Sequence, residues 1–131
     1  MAEGLLGHAL HEAGVEHIEI SSAGLDALVG YPAEKIAQDL LLAQGVDISA
    51  HRARQLNRDL MRWADLVLVM EKAQLTAVEY WDPAAKGKIY RLGQWGDFDV
   101  PDPYKKPDEV FEHSLELITR GVSDWLTKLR E

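Results

Sequence analysis

Residues 100–107 are the part of the sequence best suited to carry chemistry. They read Val-Pro-Asp-Pro-Tyr-Lys-Lys-Pro. Three prolines in eight residues exclude a helix interior or a paired central strand, because proline lacks an N–H donor and has a fixed φ. Asp102 has a proline on each side and is pushed toward an extended conformation, with Tyr104 just beyond. The stretch predicts a stiff loop that displays a proton donor beside an aromatic ring. A plain proline turn with a solvated Asp102 is the alternative.

Composition limits what the rest of the chain can do. The 131 residues are 47% hydrophobic, which predicts one domain over residues 1–131 with a real core. The net charge of −8 argues against binding to nucleic acid or an anionic membrane. We see neither an apolar run of the ~18 residues that span a membrane nor a secretion signal, so we expect a cytoplasmic protein. The chain has no cysteine, and therefore no thiolate nucleophile.

Apolar stripes with helical spacing predict the helices that position this loop. The first stripe runs from Ala2 to Ala13, and Gly14 can end that helix. A second helix is expected to start near Pro32, and a short third one follows Asn57 as its cap. Another crosses Leu75 and Val78. The last helix is predicted from about Pro107 to Leu129, with one buried stripe along it.

Three segments have the pattern of strands. Residues 65–70 are an almost continuous apolar run, as expected for a strand buried on both faces of a parallel sheet. Residues 17–21 alternate polar and apolar side chains, and residues 88–92 form the third candidate. Strands that alternate with helices predict a doubly wound α/β domain with a parallel sheet. Ligands of such domains bind beyond the carboxyl ends of the strands, where the proline loop follows the last strand.

Other patterns do not point to a ligand. His8 and His11 could face one metal, but no third ligand is evident. Asp97, Asp99 and Asp102 lack the glycine and the final glutamate of a calcium loop. No glycine-rich nucleotide loop occurs. We therefore predict neither a metal nor a cofactor.

Five segments together resemble the low-molecular-weight protein tyrosine phosphatases, in particular the bacterial members associated with exopolysaccharide production. The segments occur in family order and cover nearly the whole chain. They are residues 1–6 (Met-Ala-Glu-Gly-Leu-Leu), 22–24 (Ser-Ala-Gly), 45–56 (Gly-Val-Asp-Ile-Ser-Ala-His-Arg-Ala-Arg-Gln-Leu), 64–71 (Ala-Asp-Leu-Val-Leu-Val-Met-Glu) and 102–104 (Asp-Pro-Tyr).

The sequence departs from the family at one point. Family members begin with a central strand that leads into a phosphate loop of the form Cys, five residues, Arg, then Ser-Pro, and this segment is not among the 131 residues. We interpret the chain as N-terminally truncated relative to the family. An internal start codon, a shortened form of a longer protein and a natural non-catalytic relative are the three explanations.

The resemblance implies a role for six residues. In the family a thiolate attacks the phosphorus of phosphotyrosine, and an acid protonates the departing phenolate, a contribution of typically ~10²–10⁴-fold. Asp102 matches that acid. Tyr104 matches one wall of the slot for the substrate ring, and Leu25 and Leu28 the other wall. Ser22 and His51 match residues that support the phosphate loop, and we expect the Ser22 hydroxyl to lack its partner here.

The resemblance also implies a function and its alternatives. The leading interpretation is a phosphotyrosine phosphatase whose chain, as given, is inactive. Its implied partner is a phosphotyrosine protein such as a bacterial tyrosine kinase. The alternative is a pseudophosphatase or a dimerisation module, which forms a homodimer through exposed sheet edges. Arsenate reduction would need several cysteines, and arginine phosphate remains open as a substrate because the deciding residues belong to the phosphate loop.

Overall fold

The computed structural model describes residues 1–130, in which three helices come first and helices and strands alternate from β1 onward. The α-helices are α1 (Ala2–Glu12), α2 (Lys35–Leu42), α3 (Arg58–Trp63), α4 (Lys72–Trp81) and α5 (Asp108–Leu129). The strands are β1 (Val67–Val69) and β2 (Ile89–Arg91), and a 3₁₀ turn spans Pro83–Ala85.

Strands β1 and β2 form a parallel pair, and α4 is the connection between them. Val67 lies opposite Ile89, and Val69 opposite Arg91. The apolar run of residues 65–70 produces β1, and its two faces are covered by two apolar clusters. The predicted α/β class with a parallel sheet is therefore confirmed. Both strands are short, with three residues each.

The strand predicted at residues 17–21 is not formed. Residues 16–23 make no backbone-to-backbone hydrogen bond with any other part of residues 1–130. Alternating side chains favour an extended chain, but a strand also needs a partner that satisfies its N–H and C=O groups. Pairing starts only at Gly24, which forms an isolated parallel bridge with Gln55.

Helices α1 and α5 pack against each other and form the main core with α2. The stripe predicted for α5 is buried at Phe111, Leu115, Ile118, Val122 and Trp125. Gly121 interrupts the stripe for a steric reason. A Cβ at this position would lie 2.9 Å from the Leu92 carbonyl oxygen, so glycine allows α5 to approach the end of β2 closely.

The smaller helices follow their end signals only in part. Asn57 caps α3, since its side chain accepts a hydrogen bond of 2.8 Å from the Leu60 N–H. The start of α2 near Pro32 was predicted wrongly, because the helix begins at Lys35. Pro32 instead forms an isolated antiparallel bridge with Arg52, which holds the chain in an extended conformation before the helix.

Arg91 holds together the segments that lead into the proline loop. Its guanidinium donates to Asp97 and, over 2.8 Å, to Asp99. Asp99 also accepts the Lys72 N–H at the start of α4. The hydrogen bond from Arg91, aided by that of Lys72, holds the pKa of Asp99 below its ordinary value of 3.8. The two aspartates raise the pKa of Arg91 in turn.

Replacing Asp99 by Asn should lower the free energy of unfolding at neutral pH by at most about 1 kcal/mol, because exposed ion pairs contribute little. Asp99 has a lowered pKa in the folded state, so its contribution is fully present above pH 3.8 and is lost as the pH falls through the folded pKa. Urea unfolding at several pH values measures this. The difference in unfolding free energy between Asp99→Asn and wild type should be constant above about pH 5 and vanish in acid.

Asp65→Asn is the matched control for this measurement. Asp65 is exposed and makes neither an ion pair nor a side-chain hydrogen bond within residues 1–130. The control should leave the unfolding free energy unchanged at every pH. A loss for Asp99→Asn that persists unchanged in acid would contradict the assigned ion pair.

Candidate functional site

A cavity of about 790 Å³ opens where the carboxyl end of β1 meets the first turn of α1. Its floor includes Ala37 of α2 and Phe111 and Ile118 of α5, and five other parts of the chain line it. They are the start of α1 with residues 1–4, loop residues from Ser22 to Glu34, residues 48–53, the end of β1 with residues 70–74, and the proline loop 100–105. The proline loop therefore lies at the head of the first helix, as the family resemblance requires.

The proline loop is held at several points on the protein core. The Val100 N–H donates to the Met70 carbonyl over 2.9 Å, which fixes the loop to the end of β1. The Ser114 hydroxyl, which is fully buried on α5, donates to the Pro101 carbonyl over 2.8 Å. The Lys106 N–H closes a turn on Pro103. Sequence analysis missed Ser114, whose only signal was a hydroxyl within an apolar helix face.

Asp102 and Tyr104 are displayed together, as predicted. The Asp102 carboxylate accepts the Tyr104 N–H over 3.0 Å, which forms an Asx turn and fixes the carboxyl relative to the ring. Both residues are exposed at the cavity, and 43% of Tyr104 is accessible. The Lys105 ammonium lies 5.4 Å from the centre of the Tyr104 ring.

Ser22 and His51 meet on a third residue, Glu3, in the first turn of α1. The Ser22 hydroxyl donates to one Glu3 carboxylate oxygen over 3.1 Å, and His51 Nδ1 lies 3.3 Å from the other. The Ser22 hydroxyl, which was expected to lack its phosphate-loop partner, is bound to Glu3 instead. Sequence analysis did not single out Glu3, although an acid in the first helical turn is a usual complement to the helix dipole.

The two leucines predicted for the second wall are placed differently. Leu28 lines the cavity, with 46% of its surface exposed. Leu25 is similarly exposed but lies outside the lining. Gln55 binds the backbone on both sides, through the Leu25 carbonyl and the Ala27 N–H. Leu25 thus belongs to the outer surface of this loop.

The cavity lining is rich in negative charge. Its carboxylates belong to Glu3, Asp26, Glu34, Glu71 and Asp102. The cationic side chains on the lining are Lys105 and, when protonated, His51, and the lining contains no arginine. Burial lowers the pKa of the Met1 amine, which also faces the cavity, while Glu3 opposes this shift. The electrostatic potential that these charges produce in the cavity does not favour binding of a phosphate dianion.

Neither a metal-binding cluster nor a membrane-spanning helix occurs within residues 1–130. No group of three or more His, Asp or Glu side chains is arranged to hold a metal ion there. None of the helices in the same residues combines the length and the apolar character that crossing a membrane requires.

The whole sequence matches one protein family. The family model described as low molecular weight phosphotyrosine protein phosphatase covers residues 1–131. The chain belongs to this family. Among curated relatives, it is 42% identical over 125 residues to the "probable low molecular weight protein-tyrosine-phosphatase EpsP" of Ralstonia nicotianae, which covers 95% of this chain and 86% of the relative. The predicted family and its bacterial type are confirmed.

Solved structures of other proteins have the same fold as this chain. Vibrio vulnificus Wzb in complex with benzylphosphonate superposes with a TM-score of 0.88 at 35% identity, over 97% of this chain and 87% of that one. The YwlE arginine phosphatase of Geobacillus stearothermophilus gives a TM-score of 0.87 at 29% identity, over 98% of this chain and 82% of that one.

Proposed function

We propose that this phosphatase-family chain carries the general acid and the ring-binding walls of a phosphotyrosine site, and that it does not itself hydrolyse phosphate esters. One observation carries the proposal. The cavity brings Asp102, Tyr104 and Leu28 to the first turn of α1, yet its lining contains no thiolate nucleophile and no arginine.

The chemistry divides between groups that are present and groups that are not. Asp102 is suited to donate a proton to the ester oxygen as the phenolate leaves, and afterwards to accept one from water. Tyr104 and Leu28 are suited to hold the flat ring between them. Ser22 and His51 both contact Glu3 in the first turn of α1, and these three residues would support a phosphate loop there. Attack on phosphorus needs a nucleophile, and a phosphate dianion needs cationic and N–H donors.

Hydrolysis of an aryl phosphate tests this proposal. The 131-residue chain should give no turnover above buffer. A fusion that adds, ahead of Met1, a family strand and loop of the form Cys, five residues, Arg, Ser-Pro should be active. The same fusion with Ser in place of its Cys is the matched control and should be inactive. Turnover by the unfused chain would overturn the proposal, and so would a folded but inactive Cys-containing fusion.

The partner that fits this site is a protein that carries phosphotyrosine, such as a bacterial tyrosine kinase. Support comes from the family and from the cavity, whose volume of about 790 Å³ exceeds that of one phosphorylated ring. Because ATP-dependent kinases act inside the cell, we place the chain in the cytoplasm.

A second candidate function is a non-catalytic module that dimerises through strand edges. Residues 16–23 make no backbone hydrogen bond with other segments of residues 1–130, and β1 pairs with β2 alone. In a parallel pair, successive residues direct their N–H and C=O groups to opposite sides, so those of Leu68 point away from β2. Unpaired backbone groups of this kind favour addition of a strand from another molecule.

Light scattering during gel filtration tests dimerisation. The wild-type chain should form a dimer, and the dimeric fraction should increase with protein concentration. Glu19→Pro should weaken the dimer, because proline removes a donor and fixes φ in the unpaired segment. Glu19→Ala keeps the N–H and should leave the dimer intact. A monomer at every concentration would contradict this candidate. A dimeric fraction that neither Glu19→Pro nor Glu19→Ala alters would also contradict it.

A further inference from the structure

The loop from Leu25 to Tyr31 is apolar, exposed and firmly held. Four of its side chains are large hydrophobic groups with 44–64% of their surface exposed: Leu25, Leu28, Val29 and Tyr31. Exposed apolar groups in a contiguous patch commonly mark an interaction surface. Of these four, Leu28 and Tyr31 continue into the cavity lining, so the patch adjoins the proposed phosphotyrosine site.

The backbone around Tyr31 is fixed by the neighbouring segment. The Gly30 N–H donates to the Ala53 carbonyl over 2.8 Å, and the Ala53 N–H donates back to the Tyr31 carbonyl over 2.9 Å. The Tyr31 N–H closes a turn on the Leu28 carbonyl over 3.0 Å. Tyr31 is nevertheless 62% exposed. A rigid backbone with an exposed ring reduces the entropy lost on binding.

The carboxylates on the cavity lining fall into two groups. Glu3 binds Ser22 and His51, Glu71 takes part in the capping box of α4, and Asp102 accepts the Tyr104 N–H.

The other two carboxylates, those of Asp26 and Glu34, have no hydrogen-bond or ion-pair partner within residues 1–130. Both flank Tyr31 in the sequence and line the same cavity. Lys35 does not neutralise Glu34, because it is paired with Asp39 at 2.9 Å.

The two tyrosines at the cavity therefore differ in what they can still bind. Tyr104 already has the Lys105 ammonium near its ring. The ring of Tyr31 has neither a cation nor another aromatic ring packed on it within residues 1–130. An exposed aromatic ring that shares a cavity lining with two unpaired carboxylates suits a lysine or arginine side chain, through cation–π attraction and charge.

We propose that Tyr31, with Asp26 and Glu34, binds a basic residue adjacent to the target tyrosine of the protein substrate. This specificity rests on the proposed function, since it assumes a substrate tyrosine in the cavity. Acidic neighbours of the tyrosine would be repelled by the same carboxylates. The chain thus selects tyrosines with basic and apolar surroundings over tyrosines in acidic segments.

Peptide binding to the 131-residue chain tests the inference without any catalytic step. The probes are short unphosphorylated peptides with a central tyrosine, one followed by two arginines and the other by two glutamates. Amide chemical shifts followed by NMR should move for residues 26–34 with the arginine peptide, and the affinity should fall as salt is raised. The glutamate peptide should not bind at the same concentrations.

Substitutions distinguish the contribution of the Tyr31 ring to peptide binding from that of the two carboxylates. Tyr31→Ala should lower the affinity for the arginine peptide by about 2- to 5-fold, the usual effect of losing an exposed cation–π contact. Asp26→Asn with Glu34→Gln should abolish the preference over the glutamate peptide. Tyr80→Ala is the matched control, because Tyr80 is 89% exposed on α4 and lies outside the cavity lining.

Two results would overturn the inference: equal binding of both peptides, or an unchanged affinity in Tyr31→Ala. Neither result bears on hydrolysis of a small aryl phosphate by the Cys-containing fusion. Conversely, an inactive fusion would remove the proposed function while basic-peptide binding by the chain could still be measured. Failure of the inference and failure of the proposed function are therefore distinguishable.

Discussion

Replacing Asp102 by Asn in the Cys-containing fusion should lower kcat for phenyl phosphate by about 10²–10⁴-fold, the usual contribution of a general acid. Asparagine retains the carbonyl oxygen that accepts the Tyr104 N–H, so the Asx turn and the loop should be preserved. Only the transferable proton is lost. Circular dichroism and the KM would show that the fold and substrate binding are retained.

Comparing two leaving groups distinguishes a role of Asp102 as a proton donor from a purely structural role. Phenol is a poor leaving group and needs protonation, whereas 4-nitrophenol leaves readily as the anion. The loss of kcat/KM, which reports the steps up to departure of the leaving group, should therefore be much smaller in Asp102→Asn for 4-nitrophenyl phosphate than for phenyl phosphate. Asp108→Asn is the control, since Asp108 follows the same loop but does not line the cavity. An equal loss of kcat/KM with both substrates would mean that Asp102 supports the structure of the site and does not protonate the leaving group.

Replacing Leu41 by Ala should cost about 2–5 kcal/mol of unfolding free energy, the usual range for a fully buried leucine. Leu41 is 0% exposed on α2 and belongs to the core cluster that joins this helix to α1 and α5. The loss combines the removed apolar contacts with the cavity that remains. It is a large fraction of the about 5–15 kcal/mol that stabilises a typical domain.

The neighbouring leucine gives a matched control for this measurement. Leu42 is on the same helix but 60% exposed, so Leu42→Ala should change the unfolding free energy by no more than about 0.5 kcal/mol. Urea unfolding followed by tryptophan fluorescence measures both, and similar slopes would show that the unfolded states are comparable. Similar losses for the two variants would contradict the packing described for α2.

Local signals in the sequence were enough for most elements of the fold. The apolar stripe of α5, the apolar run of β1 and the Asn57 cap each act over a few residues, and each was found in the structure. The start of α2 was missed because Pro32 is equally suited to a first helical turn and to an extended chain. Its bridge to Arg52, twenty residues away in the sequence, decides between them.

The composition of the site was predicted less completely than its location. The proline loop and the family order of five segments located Asp102 and Tyr104 at the first helix. The contacts of Glu3 with Ser22 and His51 join three distant segments, and no periodicity in the sequence encodes them. The same holds for the buried Ser114 that anchors Pro101, and for the separation of Leu28 from Leu25.

By itself, the sequence determined the family, the parallel α/β class and the rigid loop with its acid and ring, because these depend on residue types, short spacings and backbone constraints. Only the tertiary structure decided that residues 17–21 form no strand and that two unpaired carboxylates share a cavity lining with an exposed Tyr31. The physical reason is that a hydrogen bond or an ion pair needs two partners. Which segments meet is fixed by packing of the whole chain rather than by either segment alone.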